Sequence, residues 1–225
     1  MRRFFRDNGL SVAFLAIFVA ALVGQSFAGF AYMNEDLAQH GLPAVGYLDF
    51  VTSSDFLVDV AENWQSEFLQ FFLFIFATIW LIQRGSPESK IPGDAGLGSD
   101  EDQMVGEHAR ADSPSWARVG GARRWLYSNS LLLVMGAVFV LSWFAQSLAG
   151  TVVASDENAE HGLPPLTWLD YVMSADFWNR TLQNWQSEFL AVGAMVAFSI
   201  YLRQRGSSES KPVGLPHHTS SVESD

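Results

Sequence analysis

Residues 1–90 of this chain recur as residues 122–211 at one constant offset, with no insertion or deletion. NWQSEFL at 63–69 returns at 184–190, HGLP at 40–43 returns at 161–164, and QRGS at 83–86 returns at 204–207. A fold for this chain must therefore build the same local structure twice. Each copy carries two apolar stretches without an ionisable side chain: Leu10–Val23 and Phe68–Ile82 in the first, Leu131–Phe144 and Phe189–Leu202 in the second. With their polar flanks these approach the length that a hydrocarbon core about 30 Å thick requires.

Composition points the same way. Apolar residues make up 49% and aromatics 14%, while the charged fraction of 16% lies below the roughly 25% of soluble domains. Four buried helices of a soluble protein would show polar faces; these stretches do not. The expected fold is an all-α membrane protein with four transmembrane helices, near 9–31, 64–83, 130–152 and 186–203. They form two tandem helical hairpins, with short amphipathic helices in the outer loops. The domain reading is a first two-span repeat at 1–90, a flexible acidic cytoplasmic linker at 91–121, a second repeat at 122–211, and a disordered tail at 212–225.

The first 29 residues resemble a cleavable leader, with a basic start, an apolar run and small residues near Ala28. Their copy at 123–150 is internal, so the first span is expected to be retained. Every lysine and arginine except Arg180 falls in the N-terminus, between Arg84 and Arg124, or between Arg203 and Lys211. The positive-inside rule then places both termini and the linker in the cytoplasm and the segments near 32–63 and 153–185 outside. Two crossings per copy give the copies one orientation, a parallel repeat about an axis along the membrane normal. The expected location is the cytoplasmic (inner) membrane, crossed several times.

The linker, rich in Gly, Asp, Glu and Ser, has no apolar periodicity. His217 and His218 sit in the tail, where an adjacent pair is read as incidental to metal binding. There are no cysteines, so disulfides and thiolate metal sites are excluded. The net charge of −11, with no basic patch interleaved with aromatics, gives no sign of nucleic-acid binding.

The copies agree best at the helix ends and loops, and their apolar interiors have diverged, as surfaces against lipid are free to do. His40 follows Asp36 by four residues, and His161 follows Glu157 likewise. On a helix that spacing puts imidazole and carboxylate on one face, which makes these four residues weak metal candidates. The plainer reading is a C-terminal cap with Gly41 left-handed. The next element is expected to run from Asp55 into the second span, with an N-cap at Ser53-Ser54-Asp55 and an apolar stripe of Phe56, Val60 and Trp64. Trp64 and Trp185 suit the headgroup belt. Asn8 and Asn129 are expected to cap the first and third spans. QRGS is expected as a helix end with a glycine cap, from which Arg84 and Arg205 reach phosphates. One polar cluster is expected from Gln25, Ser26, Asn63, Glu67, Gln146, Ser147, Asn184 and Glu188. Glu67 and Glu188 lie one turn beyond the tryptophans, where desolvation would favour proton or cation binding. Set against that, Gln and Asn commonly bridge helices, and a carboxylate is favoured near a helix N-terminus.

No span has a charge near its centre, in contrast to ion-coupled carriers. Nor is there a Gly-rich phosphate loop, a GxSxG elbow or an HExxH pair. No catalytic residue or cofactor is therefore expected. The leading reading is a non-enzymatic structural or interaction role in the membrane, with the lipid bilayer and either a second copy or another membrane protein as partners. The alternatives are a small cation or proton pathway using Glu67 and Glu188, and a metal-dependent activity at the outer histidine and acid residues.

The order RRF, DNG, a span ending GQS, HG-P, ENW-SEFL and QRGS-ESK resembles an uncharacterised bacterial family of small membrane proteins, a domain of unknown function. The resemblance covers both copies and implies a bacterial inner-membrane location, with no activity or ligand attached. Gln183 replaces Glu62 and Ser208 replaces Pro87 in the second copy, which marks those two positions as the less constrained.

Overall fold

The computed structural model describes residues 2–220 and is all-helical, with no strand among the described residues. In chain order the helices are α1 (Arg2–Asp7), α2 (Gly9–Gln39), α3 (Tyr47–Val51), α4 (Ser54–Trp80), α5 (Ser115–Arg118), α6 (Ala122–Ser128), α7 (Ser130–Glu160), α8 (Trp168–Val172) and α9 (Ala175–Tyr201). A 3₁₀ turn at Gly106–His108 and α5 lie in the expected linker. The bounds of α7, α8 and α9 fall 121 residues after those of α2, α3 and α4, as from Tyr47 to Trp168. The chain divides into two compact units, one made of residues up to 60 with 145–172, the other of 61–144 with residues from 173 onward. Of the expected tail, 221–225 lie outside the described residues.

Two helices, α2 and α7, are long and apolar enough to cross a membrane, where four were expected. Each has 31 residues, about 46 Å at 1.5 Å per residue, so each outruns a 30 Å core. α4 starts at Ser54, as expected of an element running from Asp55 into the second span, and α9 starts at the equivalent Ala175; the two helices stop at Trp80 and Tyr201, three and two residues before the expected span ends. Their first halves carry Asp55, Asp59, Glu62 and Glu67 in α4, and Asp176, Arg180 and Glu188 in α9. The part without charged residues, such as Phe68–Trp80, is then only about 20 Å long.

Local chemistry sets the ends. The Phe56 amide donates to Ser53 Oγ at 3.3 Å and the Phe177 amide to Ser174 Oγ at 3.2 Å, so serines cap α4 and α9 as expected. Asn8 and Asn129 do not cap. Each turns its side-chain amide back to a carbonyl of the preceding short helix, Phe4 at 3.0 Å and Trp125 at 2.8 Å. QRGS is also not a helix end, because the helices stop before it. Gly85 and Gly206, at φ 84° and 87°, sit in tight turns closed from Ser86 to Gln83 and from Ser207 to Gln204. Ser89 and Ser210 accept the Gln83 and Gln204 amides at 2.8 Å, a side-chain competitor for backbone bonding that ends the helical pattern.

In the first unit, α3 folds back on α2. The Tyr47 hydroxyl lies 2.8 Å from Ser26 Oγ, its ring stacks on Phe27, and buried Phe50 lies over Gly29. α8 does the same to α7: Trp168 Nε1 donates to Ser147 Oγ at 2.9 Å, and Tyr171, 1% exposed, lies over Gly150. In the second unit, Phe72 of α4 fills the space over Gly136 of α7. Trp143 of α7 packs among Phe139, Phe177, Trp178 and Trp185.

The Gly29 contact is a test of α3 docking. A Cβ at Gly29 would come within 2.7 Å of the Phe50 ring, whereas at Gly24 it would meet nothing within 4 Å. Gly29→Leu is expected to destabilise by about 1–3 kcal/mol through overpacking. Gly24→Ala should be neutral or gain up to about 1 kcal/mol from helix propensity. Thermal unfolding of the detergent-purified variants compares the two.

Candidate functional site

Outside the histidine caps, the polar side chains of the long helices form three groups. The caps are built identically. Gly41 at φ 69° and Gly162 at φ 70° take the left-handed conformation. The Leu42 and Leu163 amides return to the Leu37 and Asn158 carbonyls at 2.8 and 2.9 Å, the paired bonding of a Schellman cap. His40 Nδ1 lies 2.9 Å from the Asp36 carbonyl and His161 Nδ1 2.8 Å from the Glu157 carbonyl. The imidazoles thus meet carbonyls in the last turns of their own helices. The Asp36 carboxylate is 3.7 Å from the His40 ring, and both are exposed. No cluster of three or more His, Cys, Asp or Glu occurs among the described residues.

The first group comprises the small hydroxyls. Ser26 and Ser147, expected to join the glutamates, instead bond Tyr47 and Trp168. Nearby, Asn34 Oδ1 accepts the Val45 amide at 2.8 Å and Ser155 Oγ the Leu166 amide at 3.1 Å. Two different side chains at equivalent positions tie the returning loop to its helix. Gln25 is half-buried, while Gln146 is fully buried, and neither of its amide atoms finds a partner among the described residues. An unpaired buried amide costs about 1–3 kcal/mol.

The second group joins α4 and α9. Arg180 Nη1 donates to Glu62 at 3.1 Å, and Asn184 Nδ2 donates to the other Glu62 oxygen at 2.7 Å. Glu62 is mostly buried, its side chain 16% exposed, which corrects its reading as a less constrained position. Beside it, Trp185 Nε1 donates to Gln65 Oε1 at 2.8 Å; Gln65 is fully buried. Trp185 thus serves as a helix-to-helix donor. Asn63 and Glu67 are exposed, and Asn184 and Glu188 half-buried. Glu67 and Glu188 lie near enough for their charges to repel. Sequence reasoning missed Tyr47, Trp168, Glu62 and Gln65. The usable signals were the aromatic kept at both 47 and 168, and Arg180 as the lone basic residue of the outer segments.

The third group lies past the ends of α4 and α9. Glu88 and Glu209 occupy equivalent positions in the two copies. They border a cavity of about 230 Å³ walled by Phe71, Phe74, Val192 and Met195. Burial first, then the neighbouring Glu209 carboxyl, push the Glu88 carboxyl above its ordinary value. The expected tail is also engaged: Lys211 Nζ donates to the His217 and Thr219 carbonyls at 2.9 and 3.0 Å. His217 Nδ1 lies 3.1 Å from the Ile200 carbonyl.

A model of a domain of unknown function, DUF6766, matches residues 1–222. No curated protein and no solved structure matches the chain.

Two outcomes follow from this geometry. A double-mutant cycle with Glu62→Gln and Arg180→Met should return a coupling of about 1–2 kcal/mol in thermal or chemical unfolding; additive effects would mean that the pair does not hold α4 to α9. Glu88 has a raised pKa, so its stabilising contribution is present at acid pH and is lost as the pH rises through the raised value. The stability of Glu88→Gln relative to the parent chain should therefore increase from acid to neutral pH. Parallel stability profiles would contradict it.

Proposed function

The chain belongs to the DUF6766 family, a domain of unknown function, and from that starting point we propose that it is a non-enzymatic structural or interaction protein of the cytoplasmic membrane. In this reading α2 and α7 cross the bilayer, and the apolar C-terminal halves of α4 and α9 return the chain through it. Both termini then face the cytoplasm, where the basic residues concentrate. What carries the functional reading is the use made of the polar side chains. Ser26, Ser147, Glu62, Gln65 and Asn184 are engaged in bonds between helices, and His40 and His161 in capping their own helices. Polar groups so committed hold a bundle together. Each cap offers one imidazole and one carboxylate, fewer donors than a structural or catalytic zinc site uses.

The second reading, a cation or proton pathway, draws on the juxtaposition of Glu67 and Glu188. Paired carboxylates in partly apolar surroundings favour uptake of a positive charge. Flux assays on proteoliposomes decide between the two. With the structural role, proton and monovalent-cation fluxes stay at the level of empty vesicles at acid and neutral pH, and Glu67→Gln with Glu188→Gln changes only thermal stability. A flux above that level that the double variant abolishes would replace the structural reading with the pathway.

A further inference from the structure

The duplication runs further in structure than in sequence. After Lys90 and Lys211 the two copies read IPGDAG and PVGLPH, with one residue in common. Each segment nevertheless folds back in the same way. Lys90 Nζ donates to the Gly96 carbonyl, and Lys211 Nζ donates to the carbonyl of the equivalent His217. The Gly96 amide donates to the Ile79 carbonyl at 2.7 Å, and His217 Nδ1 lies 3.1 Å from the carbonyl of the equivalent Ile200. Gly96 faces the Trp80 ring, and the His217 ring packs against Tyr201. In a continuing helix the Gln83 and Gln204 amides would serve these two carbonyls, but Ser89 and Ser210 take them. Each copy thus ends in a strap that a lysine folds back onto the end of its second long helix.

The two straps differ in reach. The tail strap also crosses onto the first copy: a Cβ at Gly85 would run into the His217 carbonyl, with the His218 backbone next to it. Gly85 and Ser86 are buried there. At the equivalent Gly206 a Cβ would meet nothing within 4 Å, and this glycine is exposed. Ser86 Oγ lies 3.4 Å from Ser199 Oγ of α9, so the covered turn is also where the exit of α4 meets α9. Arg203 ties the tail to the helix, donating from Nη1 to the Ile200 carbonyl and from Nη2 to the Leu215 carbonyl, both at 3.0 Å. Lys211, only 1% exposed, adds bonds to the Pro216 and Thr219 carbonyls. From Pro212 to His218 every residue is exposed except the half-buried Leu215. Polar bonds, more than buried apolar side chains, hold this segment, and such segments open at a lower free energy than the helices they lie on.

We propose that residues 212–220 form a latch, set by the Lys211 ammonium, that closes across the Gly85 turn, joins the exits of α4 and α9, and opens as a unit without unfolding the helices. The latch rests on contacts within the second unit, and the vesicle flux assay does not bear on it.

Hydrogen exchange of the full chain in detergent, followed by mass spectrometry, reads the latch, with α7 peptides reporting the fold. Peptides covering 212–220 should be protected, though less than those of α7. Lys211→Met should speed their exchange about tenfold or more, the weight of a charge-assisted hydrogen bond, and leave α7 unchanged. Lys90→Met, which frees the other strap, should not alter tail exchange. Gly85 and Gly206 share a left-handed conformation, φ 84° and 87°, so Gly85→Ala and Gly206→Ala carry the same backbone strain. Gly85→Ala alone should speed tail exchange. The chain has no cysteine, so a Ser86→Cys thiol can be followed by itself. It should resist a maleimide in the parent background and react once Lys211→Met is added. The proposal is overturned if the tail exchanges as fast in the parent chain as in Lys211→Met, or if tail and α7 lose protection together. It is overturned too if the two glycine variants behave alike, or if the Ser86→Cys thiol reacts equally in both backgrounds.

Discussion

A backbone amide in apolar surroundings has no water to bond and must be satisfied by its own helix. That constraint produces the uninterrupted 31-residue helices α2 and α7, and it confines every change of direction to the helix ends. There, side chains take over the backbone bonding. Schellman turns at Gly41 and Gly162 close the C-terminal ends of α2 and α7. Asn34 and Ser155 hold the returning loops, and Ser89 and Ser210 close the turns past α4 and α9. The polar residues kept in both copies are concentrated at these places because the backbone has most need of them there.

Much of this is legible in the sequence, and the failures have particular causes. Hydropathy finds α2 and α7 because a long apolar run allows only a helix. The element running from Asp55 into the second span is legible as well, because the stripe of Phe56, Val60 and Trp64 leads directly into the apolar run after Glu67. The turn at Gly85 is misread as a cap because nothing local in QRGS indicates that the helix has already ended at Trp80. Partnerships are the least legible. Ser26 stands out in the sequence, yet its bond to Tyr47 spans 21 residues, and no short-range pattern predicts it. Glu62 shows a subtler failure. Its replacement by Gln183 in the second copy looked like tolerance, but the two copies occupy different surroundings, and Glu62 meets Arg180 and Asn184 of α9.

The same difference explains why so little of the polar inventory is left to do chemistry. Hydroxyls, amides and one ion pair are distributed along the contacts between helices, where each satisfies a neighbour at the same depth. Gln146 departs from this, being wholly buried with both amide atoms unbonded. The equivalent Gln25 is only half-buried. One sequence position thus carries two energetic consequences, set by which copy it belongs to.

Phe72 over Gly136 also acts as a register mark. A Cβ at residue 136 would come within 3.0 Å of the ring, so the glycine sets how closely α4 and α7 approach at that point. The residues one turn away on α7 are Leu132, Leu133, Phe139 and Val140, all with bulky side chains. A slip of either helix along its axis by one turn would set the ring against one of them, and the two helices are thereby keyed to a single alignment.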